Sequence, residues 1–453
     1  MMNLTNYFYR NILRRFEDVI KGESVLKDLK LLEKSLLWSR EELNAFRLDQ
    51  LLKLLDHAYQ NVPLYNKRFS QIGFKLDDIR DISELSRLPI LTRDDLRMNC
   101  DGDLRSKVHN FNYCQRGVSS GSSGNPVVYY HDKNALSLGR AGEMLGKEMA
   151  GWNIGTPTIM IWGNYNTVKN VWGKPESRIK AYLYNEKRIP VCNFTTENAI
   201  EDALRIIENS KAYFMYGYTN TLYSLALQLK DKVETNNKRF KGVFTTAESL
   251  NDQSRFIIED VFGPVFDEYG CGEITSIAFQ CKRTHYHHVI EPNVIVEFED
   301  IGLGKEKAIL LTDLTNYAMP LIRYRIGDIG EEISINTCDC GCIWQPLGKI
   351  TGRMNDILIT PKGGKLFVPS SFLSLLMKDG PGIAKYQLAQ IKDDQLVLRV
   401  VLSKQSKINV DYIKSFVDPY LEGLFCYSIE IVDDISTGLT GKTKMVVDER
   451  KSS

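Results

Sequence analysis

The sequence predicts an α/β protein with a large N-terminal domain, in which mixed and parallel β-sheet is flanked by helices, and a small α+β domain after it. A length of 453 residues is enough for two or three domains. From about residue 117, short apolar runs alternate with helical patterns, as they do when parallel strands are joined by helices. The pattern changes again after residue 352. We therefore predict domains at 1–352 and 353–453.

Composition excludes several classes of protein. Apolar residues make up 43% and charged residues 25%, which excludes a disordered or collagen-like chain. The net charge of +1 gives no sign of a dedicated nucleic-acid binder. Nine cysteines, an odd number in a long chain, indicate reduced thiols rather than a disulfide scaffold. No run of about 18 apolar residues exists, so we expect no stable membrane insertion. From the reduced thiols we expect a cytoplasmic protein, and from the charge balance we expect no nucleic-acid partner.

Residues 1–60 carry helical patterns, and Pro63 interrupts them. The first 20 residues form a basic, aromatic-rich amphipathic stretch. We expect it to dock onto the protein's own surface, with membrane contact as the alternative. Another helix begins near Thr92, which can cap it, with Asp95 at the capping-box position.

The α/β part contains seven apolar runs with strand character, and helical patterns at 198–210 and 219–230 lie between some of them. The predicted strands are 127–130, 158–162, 212–216, 242–246, 265–269, 294–298 and 308–312. In the small domain, a hairpin of 388–391 with 396–402 precedes a helix at 410–420 and a strand at 427–432. This alternation is the basis of the two-domain prediction.

A glycine-rich loop, residues 117–126 (GVSSGSSGNP), is the sharpest local motif. Its glycines permit a tight backbone, and successive N–H groups with serine hydroxyls can form a concave anion site. It is not a Walker loop, because no Gly-Lys-Ser/Thr follows. A flexible surface loop is the alternative. Because a strand follows directly, we favour phosphate binding.

Four charged residues further along the chain are of types that can bind parts of a nucleotide. Glu273 follows the strand at 265–269, and a carboxylate there can hold Mg²⁺ beside phosphates. Asp328 offers two acceptor oxygens to the hydroxyls of a ribose. Arg353 can reach nucleotide oxygens, and Lys442 lies in a glycine-flanked loop where it can meet phosphate or carboxylate oxygens. Taken singly, each also fits an ordinary turn, ion pair or solvated lysine.

Cysteines and histidines concentrate in two short segments about 50 residues apart. A Cys–His pair and a Cys-x-Cys pair can make a tetrahedral zinc site that clips two loops together. The predicted ligands are Cys281, His288, Cys338 and Cys340, with His287 and Cys342 as substitutes. The alternative is a group of unliganded side chains on one surface.

In this order and at these separations, the segments resemble the adenylate-forming (acyl-CoA synthetase) superfamily. The resemblance is nearest to its phenylacetate-CoA ligase branch, which includes CapK-type proteins. It also rests on residues 57–65 (HAYQNVPLY), 88–92 (LPILT), 217–218 (GY), 247–248 (AE) and 386–388 (YQL), and it spans about residues 50 to 448.

The resemblance implies roles for individual residues. Lys442 and Glu273 are implied to be catalytic, with Mg²⁺ at Glu273. Asn355 and Asp356 are implied to form a hinge about which the small domain moves. A structural zinc site is also known in some members of the branch. The implied ATP-binding residues are Ser119, Ser120, Gly121, Ser122, Ser123, Gly124, Ala247, Glu248, Tyr269, Gly270, Asp328 and Arg353.

The implied activity is activation of a small carboxylic acid by ATP to an acyl-adenylate, followed by transfer of the acyl group to a thiol such as coenzyme A. An alternative is transfer to an amine, which would serve capsule, polysaccharide or sugar-nucleotide modification. A further alternative is a non-catalytic nucleotide-binding partner of a biosynthetic complex. ATP, Mg²⁺ and structural Zn²⁺ are the expected cofactors.

Overall fold

The computed structural model describes residues 4–119, 127–162, 172–190, 197–230, 240–333, 338–368, 383–402, 409–421, 423–435 and 446–450. The N-terminal part is helical, as predicted. A capping box of Ser39 and Glu42 starts the longest helix, and Pro63 begins the next one, at its first turn. The predicted capping box of Thr92 and Asp95 is also present. These helices are α1 (Leu4–Phe8), α2 (Arg14–Lys21), α3 (Val25–Ser35), α4 (Arg40–Asn61), α5 (Pro63–Gln71) and α6 (Arg93–Asn99), with a π-helical turn at Tyr9–Leu13.

A hairpin and one helix lead from these helices to the main sheet. Strands β1 (Gln115–Val118) and β2 (Val128–His131) pair antiparallel. Helix α7 (Lys133–Met149) follows, capped by Asp132, whose side chain accepts from the N–H of Ala135. The glycines of α7 allow a close approach to the sheet, because a Cβ at Gly146 would lie 2.8 Å from Phe279.

Within the residues that the structure describes, the main sheet has eleven strands, and its parallel part forms one half. Four parallel pairs join β4, β3, β5, β6 and β7, with helices between them. The bounds are β3 (Thr158–Trp162), α8 (Pro175–Leu183), β4 (Glu186–Pro190), α9 (Glu197–Asn209), β5 (Phe214–Tyr218), α10 (Thr219–Leu229), β6 (Gly242–Thr246), α11 (Asp252–Val261) and β7 (Val265–Tyr269).

The other half of the sheet is antiparallel, so the predicted mixed α/β class is confirmed. The strand order across the sheet is β10-β11-β12-β13-β9-β8-β7-β6-β5-β3-β4. These strands are β8 (Ala278–Gln280), β9 (His287–Val289), β10 (Val294–Leu303), β11 (Glu306–Asp313), β12 (Tyr324–Glu332) and β13 (Pro346–Arg353). The carboxyl ends of β6 and β7 therefore lie near the start of the antiparallel half.

A smaller sheet follows in the C-terminal part, again as predicted. Strands β14 (Ile357–Ile359) and β15 (Lys365–Phe367) form a short pair. Four strands then assemble in the order β18-β17-β16-β19. The bounds are β16 (Ile383–Lys392), β17 (Gln395–Leu402), α12 (Val410–Leu421), β18 (Cys426–Ile431) and β19 (Val446–Asp448). The domain boundary between residues 352 and 353 falls at the end of β13 and stays a prediction.

Among the described residues, none of the helices combines the length and the apolar character needed to cross a membrane.

Candidate active site

An open cleft lies where β6, β7, β12 and β13 end or pass one another. Parallel strands in α/β sheets commonly present ligand sites at their carboxyl ends. Six of the predicted ATP-binding residues line this cleft: Ala247, Glu248, Tyr269, Gly270, Asp328 and Arg353. The sequence separates these residues by up to 106 positions, and the fold brings them to one surface.

Two contacts within the protein fix the orientation of the Asp328 side chain in the cleft. The hydroxyl of Tyr269 donates to its Oδ2 at 2.9 Å, and the Nε of Arg353 lies 3.3 Å from its Oδ1. Asp328 is paired with Arg353 in the ladder of β12 and β13, and only 7% of its surface is exposed. Each carboxylate oxygen carries two lone pairs, so both can still accept from a bound ligand. The arrangement is a carboxylate held in a fixed orientation at the edge of the cleft.

The turn after β6 carries backbone strain. Ala247 has a φ of +67°, a left-handed conformation that non-glycine residues rarely adopt. Its neighbour Glu248 is held by the next helix, since its carboxylate accepts from the N–H of Asn220 at 2.9 Å and its carbonyl accepts from the hydroxyl of Thr219 at 3.1 Å. Strained positions of this kind cluster at ligand sites. Ala247 and Glu248, at this strained turn, line the cleft.

Glu273 is buried, is linked through Arg93 to Ser119 at the described start of the glycine-rich loop, and does not line the cleft. Its Oε1 lies 3.3 Å from Nη1 of Arg93, whose Nη2 donates to the hydroxyl of Ser119 at 2.8 Å. Arg93 thus joins the predicted magnesium carboxylate to Ser119, the first predicted ATP-binding residue of that loop. The rest of that loop (Ser120, Gly121, Ser122, Ser123 and Gly124) lies outside the described residues.

The predicted hinge follows directly on the cleft. Residues Met354–Asp356 form a short 3₁₀ turn, and Asp356 accepts from the N–H of Arg353 at 3.0 Å. Burial raises the pKa of Asp356 to about 6, although the Arg353 backbone hydrogen bond opposes this. The side chain of Asn355 lies outside the described residues, as does the whole of Lys442.

The four predicted zinc ligands come together in the structure. The donor atoms of Cys281, His288, Cys338 and Cys340 all lie within 4.8 Å of one another. The Sγ atoms of Cys281 and Cys338 are 3.6 Å apart, and Cys340 Sγ is 3.3 Å from His288 Nε2. A tetrahedral zinc with Zn–S bonds of about 2.3 Å separates its sulfur ligands by about 3.7 Å. The donor set and its spacing therefore fit zinc.

Strand alternation separates the two candidate histidines. His288 faces the cysteines, whereas His287 points to the other face of β9 and lies 3.1 Å from Asp267 Oδ2. His287 also lines the cleft. The sulfur of the other substitute, Cys342, is not part of the group of four donor atoms. The loops that carry the cysteines are thus linked, through β9, to the wall of the cleft.

Two features of the site carry no sequence signal. Arg93 lies on α6, 180 residues before Glu273, and no motif marks it. A second group includes Glu268, which lines the cleft, and has Lys147 Nζ 4.0 Å above the ring of Tyr216 and 4.0 Å from Glu268 Oε1. Burial raises the pKa of Glu268 to about 8, against the attraction of Lys147. Trp162 stacks on Tyr216 at 5.3 Å and so extends this group to β3.

The fold of the chain is similar to that of solved acyl-CoA ligases. No family model matches the chain. A solved structure of 2-hydroxyisobutyryl-CoA ligase, in the postadenylation state in complex with an acyl-AMP, superimposes with a TM-score of 0.70 and 17% identity over 91% of both chains. At this identity the likeness establishes the fold.

Similar proteins of known name show which branch of these ligases the chain resembles in sequence. A phenylacetate-coenzyme A ligase of Aromatoleum evansii is 25% identical, covering 93% of this chain and 97% of the relative. The protein CapK of Staphylococcus aureus is 23% identical, covering 90% of each. The predicted resemblance to the phenylacetate-CoA ligase branch, with its CapK-type proteins, is confirmed.

Proposed function

We propose that the protein is an AMP-forming ligase that activates a small carboxylic acid with ATP and transfers the acyl group to the thiol of coenzyme A. The observation that carries the proposal is the fixed carboxylate of Asp328, held between Tyr269 and Arg353 in the cleft. A carboxylate so oriented suits the two hydroxyls of the ATP ribose. Likeness to ligases of known name over most of the chain supports the same activity.

The first step joins the acid to ATP. One oxygen of the substrate carboxylate attacks the α-phosphorus, and pyrophosphate leaves with the electron pair of the broken P–O bond. The acid alone is a poor acyl donor, whereas the mixed anhydride has AMP as its leaving group. The cleft residues position the nucleotide, and positioning together with charge neutralisation supplies most of the catalysis in such a step.

Glu273 suits a magnesium ion, which takes one or two carboxylates together with substrate phosphates. When bound, the ion would neutralise phosphate charge. Arg93 contacts Oε1 of Glu273. Through Ser119, Arg93 also fixes the start of the phosphate loop relative to that carboxylate. In our proposal Lys442 bridges the substrate carboxylate and ATP.

The second step is thioester formation. The thiol sulfur attacks the acyl carbon, the C–O bond to AMP breaks, and the thiol proton passes to solvent. In our proposal the segment at residues 353–356 turns the small domain between the two steps. Four zinc ligands, Cys281, His288, Cys338 and Cys340, would hold the loops beside β9 in place and take no part in either step.

The test is AMP formation from ATP across a panel of aromatic, aliphatic, amino and sugar-derived acids, with coenzyme A, with hydroxylamine as an amine, or with neither. We expect one class of acid to give AMP in stoichiometric amounts with acyl-CoA. The similarity to CapK keeps the amine acceptor as a second candidate. An acid that yields AMP and an amide with a biological amine, but no thioester, would favour that candidate. AMP formation with none of the acids would contradict the proposed activity.

A further inference from the structure

The N-terminal helical segment, residues 4–21, is packed with its charged side inward. The buried residues of α2 are Arg14 and Asp18, at 6% and 7% exposure. Its apolar residues face solvent instead: Phe16 is 65% exposed and Val19 is 80% exposed. An amphipathic helix on a soluble protein normally buries its apolar side. The polarity of this segment is reversed.

Ion pairs hold the segment in this orientation. Glu17 accepts from Lys180 Nζ and from the hydroxyl of Tyr184, each at 2.7 Å, and both residues belong to the region of α8. Burial alone would raise the pKa of Glu17, but hydrogen bonds from Lys180 and Lys21 hold it well below its ordinary value. Arg10 reaches Glu33 at 2.6 Å. The charged side therefore has its partners within the protein.

The π-helical turn at Tyr9–Leu13 and one aromatic contact fix the start of the segment. The hydroxyl of Tyr9 accepts from Asn185 Nδ2 at 3.1 Å. A Cβ at Gly155 would lie 2.1 Å from the ring of Tyr9, so only glycine permits this approach. The segment is thus docked at both ends, as the sequence predicted, and its outward side is a fixed surface.

The outward side forms one apolar stripe with aromatic character. Phe8, Ile12, Phe16 and Ile20 recur every four residues and are 46%, 53%, 65% and 67% exposed. Beside it, α8 exposes Ile179 at 59% and Tyr182 at 82%. Contiguous exposed apolar surface of this kind marks an interaction site.

The charged residues around the apolar stripe indicate which kind of partner the stripe can bind. Five of the nine Lys and Arg side chains in residues 4–21 and 172–190 are paired with acids within the protein. Among the charged side chains of these ranges that remain exposed, four are basic and one, Glu176, is acidic. Arg15, Lys174, Arg178 and Lys187 of this surface are exposed. Aromatic and aliphatic side chains that project between exposed basic groups match the interface of a membrane that contains anionic lipids. A second copy of the chain would bring the same positive excess against itself.

We propose that the stripe of residues 8–20, with the adjoining surface of α8, docks the protein on an anionic membrane surface without crossing it. The apolar side chains enter the boundary between headgroups and acyl chains, and the basic residues meet the lipid phosphates. This inference does not depend on the proposed catalytic activity.

The test is flotation of the full-length protein with vesicles of phosphatidylcholine alone or of phosphatidylcholine with phosphatidylglycerol in a ratio of three to one. We expect binding to the anionic vesicles, weakened by salt, and at least about tenfold weaker for Phe16→Ser/Ile20→Ser. Because both residues are more than half exposed, this variant keeps its melting temperature. The matched control, Met98→Ser/Phe256→Ser, removes side chains that are 70% and 64% exposed elsewhere and should bind as the wild type does.

Three results would overturn the proposal: no binding to anionic vesicles, equal binding to both vesicle types, or equal binding by Phe16→Ser/Ile20→Ser and the wild type. Size measurement by light scattering is made in parallel. A dimer that forms without lipid and is lost in the same variant would assign the stripe to a second copy of the chain instead.

Discussion

Replacement of Asp328 by Asn tests the ribose contact on which the proposed function depends. The carboxylate offers two acceptor oxygens to two ribose hydroxyls, and the amide keeps only one. A hydrogen bond to a charged group contributes about 1.5–3 kcal/mol. Since about 1.4 kcal/mol is a factor of ten in affinity, we expect ATP binding to weaken about 10- to 150-fold.

The contacts of Asp328 within the protein allow the fold to be checked separately. An amide can still hydrogen-bond the hydroxyl of Tyr269, now 2.9 Å away, because a hydroxyl both donates and accepts. Because the side chain of Arg353 is 47% exposed, loss of its ion pair with Asp328 should also cost little, so the melting temperature should change little. Asp300→Asn is the matched control, since Asp300 accepts only from a nearby turn N–H at 2.8 Å in an exposed position.

Titration calorimetry with ATP and magnesium supplies the affinity. If Asp328→Asn binds ATP within about threefold of wild type while its melting temperature is unchanged, the assignment of the ribose contact is wrong. If affinity and melting temperature both fall steeply, Tyr269→Phe decides the cause. That variant removes the hydroxyl that orients Asp328 and leaves the carboxylate, so we expect a smaller loss of affinity.

Three further predictions follow from other buried groups. Cys281→Ser should lose bound zinc in elemental analysis and melt at a lower temperature, whereas Cys342→Ser should retain the metal; equal zinc content in both would contradict the ligand set. Glu291 is 1% exposed and lies 2.5 Å from Arg47. Glu291→Gln leaves the buried guanidinium without its counter-charge, so the free energy of unfolding measured in urea should fall by about 3–5 kcal/mol. A decrease of less than about 1 kcal/mol in the free energy of unfolding would show that this ion pair is not needed for stability. Burial raises the pKa of Asp356 from 3.8 to about 6, so its ionisation opposes folding, and the wild type loses stability relative to Asp356→Asn as the pH rises from 4 to 6. A difference in melting temperature that does not grow across this range would contradict that burial.

The strand pattern was sufficient to predict the end of β7, whereas the strand predicted at 212–216 is β5 at Phe214–Tyr218. The run at 265–269 is the strand β7, so Tyr269 had to lie at the carboxyl edge of the sheet. The same alternation that builds β9 decides between His287 and His288, but only once the face of the strand is known. Both histidines were candidates at the level of the sequence, because the sequence does not show which face of the strand each side chain occupies.

Long-range charge pairing could not be predicted in the same way. Arg93 is a surface-like residue in a short helix, and its contact with Glu273 depends on how α6 packs against the sheet. The reversed polarity of α2 has a similar origin. Its amphipathic pattern is plain in the sequence, but the partners that turn the charged side inward, such as Lys180, lie far along the chain.

The measurement that tests the central claim most directly is acid-dependent exchange of pyrophosphate into ATP, made with wild type, Asp328→Asn and Lys442→Ala. Exchange reports acyl-adenylate formation alone and needs no acceptor. We expect one class of acid to support it in the wild type, with severe loss in both variants. Exchange that persists undiminished in both would contradict the assigned site. ATP binding without exchange, for every acid that the source cell contains, would contradict adenylation itself.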